Sequence, residues 1–400
     1  MNLKRLAIIS IVVSHLLLNQ SVASASELPV LIADEASLDQ VITEKMTEAG
    51  IAGVGAAIII DKKLVWMKGY GFADQTQKLA FTPDTTMNIG SISKTFTGVA
   101  MMQAVQQGKL ALDEDINHYL PFKLINPYYP EEKITLRQLA THTSGITDRW
   151  AVYQHSYHYD GQTGDSLAQF MRSYFTPEGA WYSKDNFLKA KPGQQREYSN
   201  IAAGLAGYIV ERAVGQPLNL YTKQHLFKPL GMSHSAWFLS ELKAEQHSKL
   251  YVSQNGMTIP IPLYQITTYP DGGVRTSVSD LSRFFIALLN GGEYQGVRIL
   301  DKKLAEEMTR LQFTATSKPE NLELNELNSG LFWATKMDVS LVGHAGSDPG
   351  IRTEMLANLK GDTAVIVFAN TSLSGEDMHH SFAISAALWK RAEFLKANQR

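Results

Sequence analysis

Ser91 and Lys94 stand three residues apart directly after Gly90, in a stretch whose spacing reads as the start of a helix. At that separation a hydroxyl and an amine share one helical face. A lysine amine screened from water gives up its proton more readily and can activate the hydroxyl as a nucleophile. A helix N-terminus adds positive potential and unpaired N–H groups where an oxyanion would form. The pattern alone is weak, because Ser240 and Lys243 repeat it. Context separates the two pairs. Ser91 opens an apolar helical run containing Ile92, Phe96, Val99 and Met102, whereas Ser240 lies in a polar stretch.

Two further groups add chemistry that this pair lacks. Tyr198-Ser199-Asn200 supplies a phenol able to relay a proton and an amide able to bond both an amine and a substrate. It is the one tyrosine of 16 followed by Asn two positions on. The ordinary alternative is a buried tyrosine and a helix-capping Asn before Ile201. His344-Ala345-Gly346-Ser347 follows an apolar segment and reads as an edge strand, along which a peptide-like substrate can pair. Its ordinary alternative is a strand end that turns at Asp348-Pro349-Gly350.

The elements that must position these groups can be read from periodicity. A helix is expected from Ser37, with Leu38, Val41, Ile42 and Met46 on one face and Gly50 at its end. Residues 53–60 and 63–70 read as an antiparallel hairpin. Helical patterns and loops dominate residues 91–264, including 201–214, and another helix is expected over 280–290. Strand character returns at 330–337, 339–343, 352–359 and 363–369, and a closing amphipathic helix spans 381–395. Residues 312–329 are polar and read as an exposed loop. The fold class is therefore α+β: an antiparallel sheet of five or more strands between N- and C-terminal helices, with an inserted all-helical lobe. The sheet lobe takes about residues 26–88 and 265–400, and the helical lobe about 89–264, in a single catalytic domain over 26–400.

Residues 1–25 read as a signal peptide. Lys4 and Arg5 precede an apolar run over 6–18, and Ala23-Ser24-Ala25 suits cleavage. At about 20 Å as a helix, that run is too short for a bilayer core of roughly 30 Å. A periplasmic or secreted location follows, with no stable membrane insertion once the signal is removed. The chain has no cysteine, which excludes disulfides and thiolate chemistry. Its formal charge of −2 comes without clustered Lys or Arg, so nucleic acid is not an expected partner. No cofactor or metal is expected either: His155 and His158, and the pair His379-His380, lack further ligands at metal spacing. His142 reads as a hydrogen-bonded structural histidine. Residues 150–187 hold ten aromatics in 38 positions, suited to a cleft wall or to packing of an inserted loop.

Taken in order, the three groups resemble the serine β-lactamase and penicillin-binding protein superfamily, whose first motif is Ser-x-x-Lys. Within it the chain looks like the group holding class C β-lactamases, D-alanyl-D-alanine carboxypeptidases, D-amino-acid peptidases and related esterases. Gly69-Tyr70-Gly71-Phe72-Ala73, Gly90-Ser91-Ile92-Ser93-Lys94-Thr95, Leu139-Ala140-Thr141-His142-Thr143-Ser144-Gly145 and Asp271-Gly272-Gly273 support the likeness. The resemblance implies that Ser91 forms an acyl-enzyme, that Lys94 and Tyr198 share the base and acid roles, and that Asn200 orients the substrate. It places the oxyanion between the N–H groups of Ser91 and Ser347, beside Gly346. Where many β-lactamases have Lys-Thr-Gly, this chain has His-Ala-Gly. His344 would then anchor a substrate carboxylate only when protonated, or another cation such as Arg352 would supply the charge. The resulting expectation is an exported hydrolase of D-amino-acid peptides or related amides. A class C-like β-lactamase, a promiscuous carboxylesterase and a penicillin-binding sensor with little turnover are the alternatives. The partner is a small-molecule or peptide substrate.

Overall fold

A computed structural model describes residues 32–398, apart from 160, 162–163 and 255–256. The expected signal peptide lies outside the described residues. The chain begins with helix α1 (Glu35–Ala49), capped by Asp34, whose side chain accepts the Ser37 N–H. Asp34, rather than Ser37, is therefore the N-cap, and Gly50 closes the helix in the left-handed conformation.

Strands β1 (Gly53–Ile60), β2 (Lys63–Asp74) and β3 (Leu79–Ala80) follow, and β4 (Ala334–Lys336), β5 (Leu341–Asp348), β6 (Ile351–Asn358) and β7 (Thr363–Ala369) complete one sheet. Its order is β4-β5-β6-β7-β1-β2-β3, and every neighbouring pair is antiparallel. All eight residues of β1 are buried, so it reads as a continuous apolar run rather than an alternating one. Alternate residues serve two layers. Val54, Ala56, Ile58 and Ile60 pack with α1 and the C-terminal helix, through Leu38, Ile42, Ile384 and Leu388. Ala57 and Ile59 face a second, larger core, which contains the helices between the two halves of the sheet.

Three of those helices bear on the site: α2 (Ser93–Gln106), α3 (Asn200–Val214) and α4 (Val278–Leu289), with α5 (Met378–Ala397) closing the fold. The inserted segment is not all-helical as expected. Leu250–Gln254 and Met257–Ile261 form a hairpin, which pairs in parallel with Thr371–Ser372 just beyond β7. Tyr157–Tyr159 pairs with Tyr264–Ile266. Val252 and Ile259 pair across the hairpin, and Pro260 in its second strand is what spoke against a strand there in the sequence.

Candidate active site

Ser91 lies in a single 3₁₀ turn, Gly90–Ile92, immediately ahead of α2. The turn is held by three backbone anchors. The Ile89 carbonyl accepts the Thr353 hydroxyl at 2.9 Å, the Ile89 N–H reaches the Val274 carbonyl at 3.0 Å, and the Val274 N–H donates to Ser93 Oγ at 2.9 Å. Gly90 has φ +53°, and a Cβ there would lie 3.4 Å from Gly346 Cα and 3.5 Å from the Ser347 nitrogen. The Ser91 turn therefore abuts β5 at Gly346 and Ser347. Gly346 is required for that approach, since a Cβ would stand 2.1 Å from the Ile89 oxygen.

Lys94 is fully buried in the first turn of α2, while Ser91 is half-buried. Lys94 Nζ meets Ser91 Oγ at 3.0 Å, Asn200 Oδ1 at 2.7 Å and the Asp271 carbonyl at 2.7 Å. It also lies 5.0 Å from the centroid of the Tyr198 ring. A hydroxyl, a phenol ring and an amide, up to 109 positions apart in the chain, thus gather around the one amine nitrogen of Lys94.

Tyr198 and Asn200 are held by His142 and by Asp148, of which the sequence singled out only the first. Asp148 binds the N-terminus of α3 from both carboxylate oxygens, taking the Asn200 N–H at 2.7 Å, the Ile201 N–H at 3.0 Å and the Ser199 hydroxyl at 2.6 Å. His142 has φ +61°, accepts the Ser199 N–H on Nδ1 at 3.2 Å, and packs its ring 4.3 Å from that of Tyr198. Burial holds its pKa well below the usual histidine value, so it works as a neutral acceptor, in the structural role expected. The signal for Asp148 was its place just after the Thr-His-Thr-Ser-Gly run, but an acid capping a helix 52 residues later leaves no trace in spacing.

β5 is paired by β4 only over Leu341–Gly343, so residues 344–348 present an open strand edge, as expected. His344 departs from expectation. Its ring is buried, Nδ1 meets the Ala345 carbonyl at 2.8 Å, and burial, followed by the charges of Lys336 and Lys94, pushes its pKa well below 6.5. It carries no charge between pH 6 and 8, and the expected protonated anchor is withdrawn. Arg352 is also misplaced for that role. It pairs with Ser347 in register, but its guanidinium stacks 5.3 Å from the Phe382 ring on α5 and approaches Glu354 at 3.8 Å. Thr353 points to the Ser91 turn, so its neighbour Arg352 points to the opposite face of the sheet. The Ser347 side chain is exposed, and only its backbone nears Ser91.

Behind Lys94 lies a buried network of carboxylates and phenols. Asp271 Oδ1 accepts the Tyr153 hydroxyl at 3.0 Å, Oδ2 has no hydrogen-bond partner, and burial pushes its pKa up to about 7. Asp348 accepts the Tyr157 hydroxyl at 2.7 Å, and burial raises it to about 6. The aromatic segment is therefore divided. Tyr153 and Tyr157 bond the acids near Lys94, whereas Phe170, Tyr174, Phe175 and Phe187 pack in the core. Among the described residues, no three His, Cys, Asp or Glu side chains gather as a metal would require. No helix of the described residues is long and apolar enough to cross a membrane.

The family model described as Beta-lactamase matches residues 38–387. Protein flp of Staphylococcus aureus strain N315 is 27% identical over 339 residues, covering 83% of this chain and 62% of its own length. The chain thus spans about three fifths of the curated relatives it matches. Among solved structures, the octameric penicillin-binding protein homologue from Pyrococcus abyssi superposes with a TM-score of 0.68 at 25% identity, over 90% of this chain and 77% of that one. The D-amino acid amidase from Ochrobactrum anthropi SV3 superposes at 0.69 with 22% identity, over 91% of this chain and all of that one (100%). The latter likeness is one of fold.

Proposed function

Because the chain belongs to the beta-lactamase family, we propose that it is an exported serine hydrolase acting through an acyl-enzyme on Ser91, with D-amino-acid peptides or related amides as its substrates. One observation carries the reading: the Lys94 nitrogen, bonded to both Ser91 Oγ and Asn200 Oδ1, lies beside the Tyr198 ring. A lysine serving only as a surface charge would not be buried among these groups.

In the proposed reaction the substrate backbone lies along the open edge at 344–348, with its scissile carbonyl over the Ser91 turn. Ser91 Oγ forms a bond to the carbonyl carbon as its proton passes to the Lys94–Tyr198 pair. The amine and the phenol ring lie side by side, so the pair is given the proton as a unit. The carbonyl electrons move onto oxygen, where the N–H groups of Ser91 and Ser347 would hold the developing charge. Collapse breaks the carbon–nitrogen bond, and the leaving amine takes the proton from the pair. Water then adds to the Ser91 ester, its proton passes to the pair, and Ser91 recovers a proton as the acid departs. Asn200 holds the amine of Lys94 in line throughout.

Support for amide substrates comes from the strand edge, which suits a peptide backbone, and from the likeness in fold to the amidase. Export rests on the N-terminal charge and apolar pattern at residues 1–25. The Ser91→Ala variant should lose turnover of a chromogenic cephalosporin, a D-Ala-D-Ala peptide and a nitrophenyl ester by a factor of at least about 10³. It should also lose labelling by a fluorophosphonate. Turnover retained in that variant would remove Ser91 from the reaction.

A further inference from the structure

At the far end of the open edge an acid shares the face of the sheet that carries the nucleophile. Alternate residues of a strand lie on one face, so Gly346 and Asp348 in β5 point the same way. That face is turned to Ser91. Gly346 pairs with Thr353, whose hydroxyl reaches the Ile89 carbonyl. Asp348 pairs with Ile351, and a Cβ at Gly90 would lie 3.1 Å from the Ile351 side chain. Asp348 also follows Ser347, whose N–H completes the proposed oxyanion pocket, and stands about 7 Å along the strand from Gly346.

The Asp348 carboxylate is short of positive partners. Asp348 is half-buried, and it accepts from a phenol, the Tyr157 hydroxyl at 2.7 Å, rather than from a cation. The Tyr264 hydroxyl beside it donates to the Pro349 carbonyl at 3.1 Å. Two cations act on Asp348 from farther off, and both are engaged elsewhere. Lys94 is taken up by Ser91, Asn200 and the Asp271 carbonyl. Arg275, fully buried, donates to the carbonyls of Trp237 at 2.7 Å and Gly273 at 2.9 Å. A carboxylate with one phenol bond keeps open lone pairs, and half-buried it is costly to ionise unless a cation joins it. His344, at the other end of the edge, is neutral and offers no competing charge.

We infer that Asp348 is an ammonium-binding subsite, selecting substrates in which the attacked carbonyl belongs to a residue with a free α-amine. The inference rests on the reading of Ser91 as the nucleophile and narrows its amides to those of an amino-terminal residue. In such a substrate the α-nitrogen is two bonds from the carbonyl carbon, about 2.5 Å away. With the carbonyl oxygen between the N–H groups of Ser91 and Ser347, an ammonium on the Asp348 side can donate to the carboxylate. The bond from Tyr157 holds that carboxylate in place before the substrate arrives, which lowers the cost of ordering it. Tyr157 is itself fixed by the pairing of Tyr157–Tyr159 with Tyr264–Ile266.

The test compares turnover at pH 7 of D-alanine p-nitroanilide and its D-lactic acid analogue, in which a hydroxyl replaces the ammonium at nearly the same shape. At that pH the carboxylate, raised to about 6 by burial, and an α-amine, which titrates near pH 8, are both mostly charged. The wild type should favour the ammonium substrate about tenfold or more in kcat/KM. Asp348→Asn and Asp348→Ser, which remove the charge, should bring the ratio close to one. Tyr157→Phe removes the phenol but not the charge, and should keep the ammonium substrate ahead. The ratio is taken within each variant, so a general loss of activity cancels. A wild-type ratio near one, a ratio unchanged in the Asp348 variants, or the same collapse in Tyr157→Phe overturns the subsite. So does turnover of neither anilide by an enzyme whose Ser91 still takes up a fluorophosphonate. Failure of the wild type to label at Ser91 instead removes the reading beneath it.

Discussion

His344 shows how one side chain changes meaning between sequence and structure. Free in water, an imidazole titrates near pH 6.5. Packed against the core, with Lys336, Lys94 and Arg196 acting on it, the neutral form wins. Its ring resonances should therefore stay flat from pH 6 to 8 in a histidine NMR titration, and an inflection near 6.5 would restore a charged role. A depressed histidine pKa contributes stability that is present above 6.5 and is lost as pH falls below it. The other residues of the site keep the sense their types suggested. Ser91, Lys94, Tyr198 and Asn200 were legible because a hydroxyl, an amine, a phenol and an amide have few other uses in that order.

The N-terminus of α3 depends on a single carboxylate at the level of elements. Asp148 satisfies two backbone N–H groups and the Ser199 hydroxyl, so it fixes the direction in which Asn200 leaves the helix. Asp148→Ala should cost about 2–4 kcal/mol in urea unfolding, from unpaired donors in a half-buried site. It should also lower kcat, because Asn200 would lose its alignment on Lys94. A variant with wild-type stability would mean that water replaces the carboxylate without loss. Most main elements were legible from period: β7 lies at the expected residues, and α3 and α4 begin within two of theirs. The hairpin Leu250–Gln254 and Met257–Ile261 was not, because its order comes from pairing with Thr371–Ser372, more than 100 residues on.

The whole molecule carries the cost of placing charge inside a shared core. Asp271 is buried, one of its oxygens is unpartnered, and its pKa rises from 3.8 to about 7. A carboxyl whose folded pKa is raised contributes stability that is fully present below about pH 4 and lost as pH climbs to about 7. The penalty reaches about 4 kcal/mol once the carboxylate is fully ionised. Asp271→Asn should therefore gain stability over the wild type as pH rises from 5 to 8, measured by urea midpoints at both. A difference that stays constant with pH would show that ionisation of Asp271 carries no cost.

The order of Ser-x-x-Lys, Tyr-Ser-Asn and His-Ala-Gly pointed to the family and to Lys94 with the three groups around it, and hydrophobic period gave the sheet between terminal helices, since local spacing sets which residues share a turn or a strand. Only the tertiary structure decided where each charged side chain of the sheet points. Arg352 and Thr353 are neighbours in sequence but point to opposite faces of the sheet. Arg196 and Lys336 are 140 positions apart, yet both act on the His344 ring. Charge and burial depend on what surrounds a side chain in space, and those surroundings come from distant segments that no local pattern encodes.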